Sequence, residues 1–197
     1  MIGVLATRVD EWAGRELDRV RGVAALDLVM YGASRLGDDG RFWIAAAALR
    51  AVGRPAPLAR FGRQLAWLGI ESAVVNGPAK SMVRRPRPAA ARRHPHPHRL
   101  RVPSNSSFPS GHAASAGTMA VLLSEDGLAP LWWAVALTIA ASRVYVGVHH
   151  VSDVAAGLAV GAGIGYLARH VELPLLAVPR PDALDDPDDL SGGPAAG

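Results

Sequence analysis

Three short segments of this chain carry residues whose types and spacing suit the transfer of a phosphoryl group. In chain order they are Lys80 with Arg87-Pro88, then Pro109-Ser110-Gly111-His112, then Ser142-Arg143 with His149 and Asp153. Fixed cations neutralise the charge of a phosphoryl group, and an imidazole accepts that group as a nucleophile. This combination of residue types therefore indicates phosphoryl transfer onto a histidine.

The third segment pairs an imidazole with a carboxylate. His149 and Asp153 are four residues apart, where the chain returns to apolar sequence. That spacing places both side chains on one face of a helix. A carboxylate that accepts the proton of one ring nitrogen fixes the tautomer and leaves the other nitrogen free as a nucleophile. For this pair taken alone, a solvated His–Asp pair at a helix end is the alternative.

The second segment predicts a helix N-terminus that binds an anion. Ser110 is a candidate N-cap, and the free N–H groups of Gly111 and its neighbours form a cradle for phosphate oxygens. His112 is then placed to protonate a leaving oxygen. These roles conflict in part, because a helix N-terminus disfavours imidazolium whereas a bound phosphate favours it. A simple helix cap is the alternative.

Lys80, Arg87 and Arg143 are the candidate phosphate-binding cations. Arg143 lies near the end of an apolar stretch, where an unpaired guanidinium costs roughly 3 kcal/mol or more, so an anionic partner is expected there. The planar guanidinium also binds two phosphate oxygens at once. The other arginines between 84 and 101 are expected to form a solvated surface that faces lipid headgroups.

The apolar stretches around these segments predict a helical membrane protein. The most convincing spans are Leu131 to Val148, which begins with the interfacial pair Trp132-Trp133, and Val151 to Ala168. Within the second span, Gly157 and Gly161 have the spacing that lets helices approach closely. We expect an all-α integral membrane bundle of five to six helices, preceded by an N-terminal amphipathic helix.

The two ends of the chain are more polar than its middle. Residues 9–31 place apolar side chains at three- and four-residue steps, which predicts an amphipathic helix that ends at the Gly-Asp-Asp-Gly run of 37–40. This helix would lie in the membrane interface or pack against the bundle. The predicted division is an amphipathic segment 1–26, a transmembrane domain 27–172 that contains the three segments, and a disordered acidic tail 173–197.

Composition narrows the classes of partner and cofactor. The 197 residues include no cysteine, which excludes disulfides, iron–sulfur clusters and thiolate zinc sites. The net charge of +4, with 6% aromatic residues, favours an anionic membrane or substrate over nucleic acid.

His94, His96 and His98 alternate with prolines, and an exposed loop is favoured there over a metal site. The arginines leave open which side of the membrane the site faces.

Taken together, the three segments resemble the signature of the type 2 phosphatidic acid phosphatase superfamily, and the resemblance covers residues 27–170. It implies that His149 forms a phosphohistidine, that Asp153 orients His149 and that His112 protonates the leaving group. It also implies that no metal or other cofactor is needed. The residues that would hold the phosphoryl oxygens are Lys80, Arg87, Ser110, Gly111, His112 and Arg143.

The first segment offers two Arg-Pro pairs, because Pro86 lies between Arg85 and Arg87. The family's spacing is measured from the lysine, and only Arg87 has that spacing from Lys80. We therefore predict that Arg87, and not Arg85, binds phosphate.

The resemblance leaves the substrate open. Small bacterial members of the superfamily act on polyprenyl pyrophosphates, phosphatidylglycerol phosphate, phosphatidic acid or a polyprenyl-linked sugar phosphate. A composition rich in alanine, glycine and arginine is typical of a GC-rich genome and favours a polyprenyl-linked substrate such as decaprenylphosphoryl ribose 5-phosphate. The alternatives of another class are a soluble vanadate-dependent haloperoxidase or acid phosphatase, and a non-catalytic membrane scaffold. The oligomeric state is also open.

Overall fold

The structure is a computed structural model that defines residues 2–88 and 104–171. Within these ranges the chain forms seven long α-helices and no strand: α1 (Ile2–Val20), α2 (Ala24–Leu36), α3 (Arg41–Ala51), α4 (Pro57–Val74), α5 (Gly111–Leu123), α6 (Ala129–Tyr145) and α7 (Val151–His170). The predicted all-α class is confirmed for these ranges. The histidines His94, His96 and His98 and the predicted tail 173–197 lie outside them.

The N-terminal part forms two helices, so the prediction of a single helix over 9–31 is wrong. The chain turns between α1 and α2 at Gly22, whose φ of +93° is readily adopted by glycine and costly for other residues. The apolar positions continue in phase across this turn, which is why the pattern suggested one helix. α2 ends at Leu36, and a 3₁₀ turn over Asp38–Gly40 follows it.

α5 is the central helix of the bundle. Its residues from Ala116 to Leu123 are all buried, and only Gly111, His112 and Ser115 are partly exposed. Small side chains on most faces let α4, α6 and α7 pack against it together. The three partly exposed residues lie in the first turns of α5, and this places them at one end of the bundle.

α5 and α7 approach each other so closely that glycine is required at their crossing. A Cβ atom built on Gly161 would lie 1.9 Å from the carbonyl oxygen of Ala114, and one built on Gly157 would lie 2.4 Å from the carbonyl oxygen of Ser110. Both obstacles are backbone atoms, which cannot rotate away. The close approach inferred from these two glycines is therefore present, and it fixes the start of α7 beside the start of α5.

We expect Gly161→Ala to lower the free energy of unfolding by roughly 1–3 kcal/mol or more, because the new methyl group forces the two helices apart. The matched control is Gly163→Ala in the same helix, where an added Cβ meets no atom within 4 Å. That control should keep or raise stability, since alanine favours helix by about 1 kcal/mol over glycine. Thermal unfolding of the purified variants measures both, and equal melting temperatures would contradict the packing described.

α4 is extended by an irregular segment that carries Lys80. A π turn over Val75–Ala79 contains Pro78 and leads into a single helical turn, Lys80–Met82. Proline cannot donate to the α-helical ladder, which accounts for the wider turn. The turn leaves Asn76 and Lys80 close together, and Lys80 Nζ donates a hydrogen bond to Asn76 Oδ1 at 2.7 Å.

Among the helices that the structure describes, α7 is the one with the length and composition of a membrane span. Its 20 residues have a mean hydropathy of 1.5 over the most apolar window. Several other helices present large apolar side chains on the outside of the bundle, among them Leu28, Leu49, Leu131 and Leu137. Exposed apolar surface of this kind is unusual for a soluble monomer.

Candidate active site

The three predicted segments meet in a cavity of about 460 Å³ at the end of the bundle where α5 and α7 begin. Six of the eight predicted site residues line it: Lys80, Arg87, Gly111, His112, Arg143 and His149. The other two, Ser110 and Asp153, are fully buried beside it. The rest of the lining comes from Gly37, Asp39, Gly40, Ser72, Asn76, Asn105 and Ser115.

His149 lies in the loop between α6 and α7, with its two ring nitrogens in different surroundings. Nδ1 is 2.7 Å from the backbone carbonyl oxygen of Ser107. A carbonyl oxygen only accepts hydrogen bonds, so Nδ1 carries the proton. Nε2 is therefore the unprotonated nitrogen, and it lies 3.3 Å from Arg87 Nη1 at the cavity wall. This is the tautomer that nucleophilic attack by Nε2 requires.

The protonation state of His149 also suits a nucleophile. Its side chain is only 3% exposed, and burial lowers its pKa to about 4, against the opposing effect of the nearby Asp153 carboxylate. The ring is therefore neutral over the whole range from mildly acidic to alkaline pH. A neutral imidazole keeps the Nε2 lone pair available for attack.

Asp153 supports the start of α7 as well as His149. Its Oδ2 accepts the backbone N–H of His150 at 2.9 Å, and the side chain of His150 accepts the backbone N–H of Asp153, which forms a capping box. Its distance to His149 Nδ1 is 3.7 Å, longer than a hydrogen bond. Asp153 therefore supplies negative charge beside His149, while the carbonyl of Ser107 accepts the Nδ1 proton. The orienting role predicted for Asp153 stays a prediction.

The three predicted cations are each held by a different partner. Arg143 is buried and donates to Ser34 Oγ. Arg87 donates to the carbonyl oxygen of Val148 at 2.9 Å, and Lys80 is fixed by Asn76 as described. Cations that are positioned before a phosphate binds need little reorganisation when charge develops on it. The cavity therefore presents a preorganised positive surface to an anion.

Sequence reasoning missed Asp38, which pairs with His112. Asp38 Oδ1 lies 2.9 Å from His112 Nε2, and 3.9 Å from Arg143 Nη1. The hydrogen bond from His112 holds the pKa of Asp38 below its usual value. A carboxylate at this distance favours imidazolium, but burial, together with the charges of Arg143 and Lys80, holds the pKa of His112 below its usual value. The acid role predicted for His112 therefore needs the further negative charge of a bound phosphate. The sequence marked residues 37–40 only as a helix break, with no spacing that linked them to His112.

Ser110 and Gly111 form the start of α5. Ser110 Oγ accepts the N–H of Ala113 at 3.4 Å as an N-cap, and its own N–H donates to the backbone oxygen of Asp153 at 3.0 Å. Gly111 lines the cavity, where an added Cβ would lie 3.0 Å from Asn76 Oδ1. The phosphate contacts predicted for these two residues stay predictions.

The chain is similar in sequence to known phosphatases. The chain is 35% identical over 146 residues to decaprenylphosphoryl-5-phosphoribose phosphatase of Mycobacterium tuberculosis (strain CDC 1551 / Oshkosh), covering 71% of this chain and 77% of the relative. It is 40% identical over 77 residues to undecaprenyl-diphosphatase of Sulfolobus acidocaldarius, covering 36% of this chain and 35% of that one.

The fold is also similar to a solved structure. The crystal structure of a transmembrane PAP2-type phosphatidylglycerolphosphate phosphatase from Bacillus subtilis matches with a TM-score of 0.66 and 24% identity, over 85% of this chain and 90% of that one. The family model for the PAP2 superfamily matches residues 62–177, a range that contains all three segments of the cavity. This chain therefore belongs to the PAP2 superfamily.

Proposed function

We propose that this protein is a multi-pass membrane phosphatase that removes phosphate from a polyprenyl-linked substrate, and that the preferred substrate is a polyprenyl-linked ribose phosphate. The observation that carries the proposal is the neutral Nε2 of His149 at the wall of a cavity that also holds three fixed cations. Few other reactions require an unprotonated imidazole surrounded by positive charge.

The reaction begins when His149 Nε2 attacks phosphorus and the bond from phosphorus to the leaving oxygen breaks. His112 donates a proton to that oxygen, so the product leaves as a neutral alcohol when the substrate is a phosphate monoester. Water then attacks the phosphorus of the phosphohistidine and gives a proton to the deprotonated His112, while the bond from phosphorus to Nε2 breaks. This releases inorganic phosphate and restores both histidines. Lys80, Arg87 and Arg143 neutralise the three phosphoryl oxygens throughout, and this charge is what a metal ion would otherwise supply.

The neutral part of the cavity wall supports a hydroxylated headgroup. Ser72, Asn76, Asn105 and Ser115 contribute hydroxyl and amide groups beside the cations. Sugar hydroxyls pair with such groups, whereas among the residues that the structure describes no cation beyond Lys80, Arg87 and Arg143 lines the cavity to meet the second phosphate of a pyrophosphate. The name of the relative from Mycobacterium tuberculosis, a phosphatase of a decaprenyl-linked phosphoribose, agrees with this choice.

The surface of the helices supports insertion in a membrane. Leu28, Leu49 and Leu137 are exposed on three different helices, and α7 has the composition of a span. On α1, Trp12 is 58% exposed and Val4 and Leu5 are exposed too, while Asp10 is buried, so the bundle leaves part of the apolar surface of this helix uncovered. An amphipathic helix with that orientation fits the interface between lipid and water.

A panel of purified lipid phosphates tests the proposal. We expect phosphate release to show the highest kcat/KM with a polyprenyl-linked ribose phosphate, followed by a polyprenyl pyrophosphate, and the lowest values with phosphatidic acid and phosphatidylglycerol phosphate. A preference for either glycerolipid would overturn the substrate assignment. No release from any of the four, with folded protein, would overturn the assignment of the enzyme as a whole.

Two inhibitors test the chemistry in the same assay. Vanadate resembles the five-coordinate phosphorus of the reaction and should inhibit, whereas EDTA should leave the rate unchanged because fixed side chains carry the positive charge. Loss of activity with EDTA, restored by a divalent cation, would contradict that account. Protein carrying His149→Asn, prepared in parallel, measures any contaminating phosphatase.

A further inference from the structure

Arg85 is not part of the solvated surface expected for it, because it bridges two buried carboxylates behind the cavity. Its Nη1 donates to Asp153 Oδ1 at 2.6 Å, and its Nη2 donates to Asp10 Oδ2 at 2.7 Å. Asp153 has a fully buried side chain and that of Asp10 is 3% exposed. A buried carboxylate without a partner costs several kcal/mol. This guanidinium favours the charged form of both groups, together with the hydrogen bonds that Ser152 donates to Asp10 and that the backbone of His150 donates to Asp153.

The backbone of Arg85 positions the carbonyl of Ser107, which is the other group beside His149 Nδ1. Its carbonyl oxygen accepts the N–H of Ser107 at 3.0 Å, and the carbonyl oxygen of Ser107 in turn faces His149 Nδ1 at 2.7 Å. Arg85 therefore contacts both groups that face the Nδ1 proton of His149. The side chain of Arg85 fixes the carboxylate of Asp153, and the main chain of Arg85 fixes the carbonyl of Ser107.

Asp10 connects α1 to Arg85 and to the start of α7. Its carboxylate also accepts the backbone N–H of Ser152 at 2.9 Å and the hydroxyl of Ser152 at 2.6 Å. Asp10 is buried, whereas the other charged residues of α1 are partly or fully exposed, and no residue of α1 lines the catalytic cavity. Asp10 and its partners thus connect α1 to the start of α7, beside the nucleophile.

We propose that Arg85, clamped by Asp10 of the N-terminal helix, is a positioning residue that sets the orientation and the charge surroundings of His149. The proposal rests on the proposed function in one respect, that His149 is the nucleophile. It assigns α1 to the catalytic unit, although no α1 residue touches the substrate cavity.

The charges explain why Asp10 matters at a distance. When Nε2 bonds to phosphorus, the ring keeps its Nδ1 proton and gains a positive charge. The group of Asp10, Arg85 and Asp153 has two carboxylates and one guanidinium, so it retains one net negative charge that stabilises this ring. Without the charge of Asp10, the guanidinium would neutralise Asp153 and that stabilisation would weaken.

Several other charged or titratable groups face His149, and the proposed variants leave them unchanged. Arg87, Arg143 and His150 lie beside it. Lys80 and His112 face it across the cavity that they share. Differences in kcat and in the pH profile between the variants therefore measure the effect of Asp10, Arg85 and Asp153 on His149.

Steady-state kinetics of Asp10→Asn provide the first test. Asparagine keeps the shape of the side chain and removes its charge, so kcat should fall about tenfold while KM stays within about twofold. Glu11→Gln is the matched control, because it removes the same charge from an exposed position on the same helix and should leave kcat unchanged. Asp10→Glu should recover part of the lost kcat.

The pH profile separates a positioning role from a merely structural one. The acid limb of kcat/KM reports the pKa of His149 in the free enzyme. Arg85→Gln removes the cation beside Asp153, so the limb should move to higher pH. Asp10→Asn removes a negative charge, so the limb should move to lower pH. Arg85→Lys, which retains the charge, should give a limb close to that of the unchanged protein.

Opposite shifts of the two limbs, with a loss of kcat in Asp10→Asn that Glu11→Gln does not share, would establish the role. Coincident limbs in all variants would overturn it, as would an equal loss of kcat in Asp10→Asn and Glu11→Gln. Where Arg85→Gln does not fold, the Asp10 and Glu11 variants decide alone. Absence of phosphatase activity in the unchanged protein would instead reject the proposed function, so the two failures are distinguishable.

Discussion

Replacing His149 by asparagine is expected to lower kcat by at least about 10⁴-fold, since no other group in the cavity offers an unprotonated nitrogen in the same place. Asparagine is close in size to the proximal part of imidazole, and its amide can still donate to the carbonyl oxygen of Ser107. The fold should therefore persist. Release of phosphate from a polyprenyl-linked substrate measures the loss, and circular dichroism measures the helix content.

His170→Asn is the matched control for this change. His170 is exposed at the end of α7, far along the helix from the catalytic loop, so its replacement should leave kcat within about twofold. Residual turnover of His149→Asn above a few per cent, in protein free of contaminating phosphatase, would show that the nucleophile lies elsewhere.

Replacing Arg87 by glutamine is expected to lower kcat/KM by about 10²–10³-fold, the usual loss for one preorganised donor to a developing negative charge. Arg87 Nη1 lies 3.3 Å from the attacking nitrogen of His149, so this guanidinium meets the phosphoryl group as it transfers. Arg87→Lys keeps the charge but lacks the planar fork, and it should show an intermediate loss. Initial rates over a range of substrate concentrations measure each value.

Arg84→Gln provides the matched control, because Arg84 is exposed in the same segment. Its kcat/KM should stay within about twofold of that of the unchanged protein. The comparison also tests the choice between the two Arg-Pro pairs. An effect of Arg87→Gln no larger than that of Arg84→Gln would exclude Arg87 from phosphate binding.

The site was predictable from the sequence to the extent that side-chain chemistry recurs at fixed spacing. Arg143 lies in the last turn of α6 and His149 in the short loop that follows it, and six residues separate Lys80 from Arg87. Residues that are this close in the sequence are also close in the folded structure. The close approach of α5 and α7 was also foreseen, because paired glycines such as Gly161 leave a visible pattern.

The features that sequence reasoning missed depend on long-range contacts or on the backbone. Asp38 meets His112 across 74 positions of the chain, and a single acidic residue in a turn carries no signal of such a partner. The acceptor of the His149 proton is the main-chain carbonyl of Ser107, and any residue type provides a carbonyl. Arg85 was assigned to the surface because nothing in the sequence indicated that Asp10 would reach it.

The turn at Gly22 was missed for a different reason. A glycine within a helical pattern is compatible with a continuous helix at a modest cost, and the apolar positions on both sides stayed in phase. The turn is stabilised by tertiary contacts, for Arg21 Nε donates to the backbone oxygen of Tyr145 at 2.7 Å. The predicted boundary at residue 26 stays a prediction, and the contacts of Asp10 connect α1 with the residues beyond it.

Trapping the covalent intermediate tests the central claim most directly. The protein is mixed with substrate that carries a radiolabelled phosphate, quenched with alkali within milliseconds and digested. The account predicts label that is stable in base, lost in acid and confined to the peptide containing His149, with none in the His149→Asn protein. Label on another residue, or full turnover with no labelled protein at any time point, would contradict it.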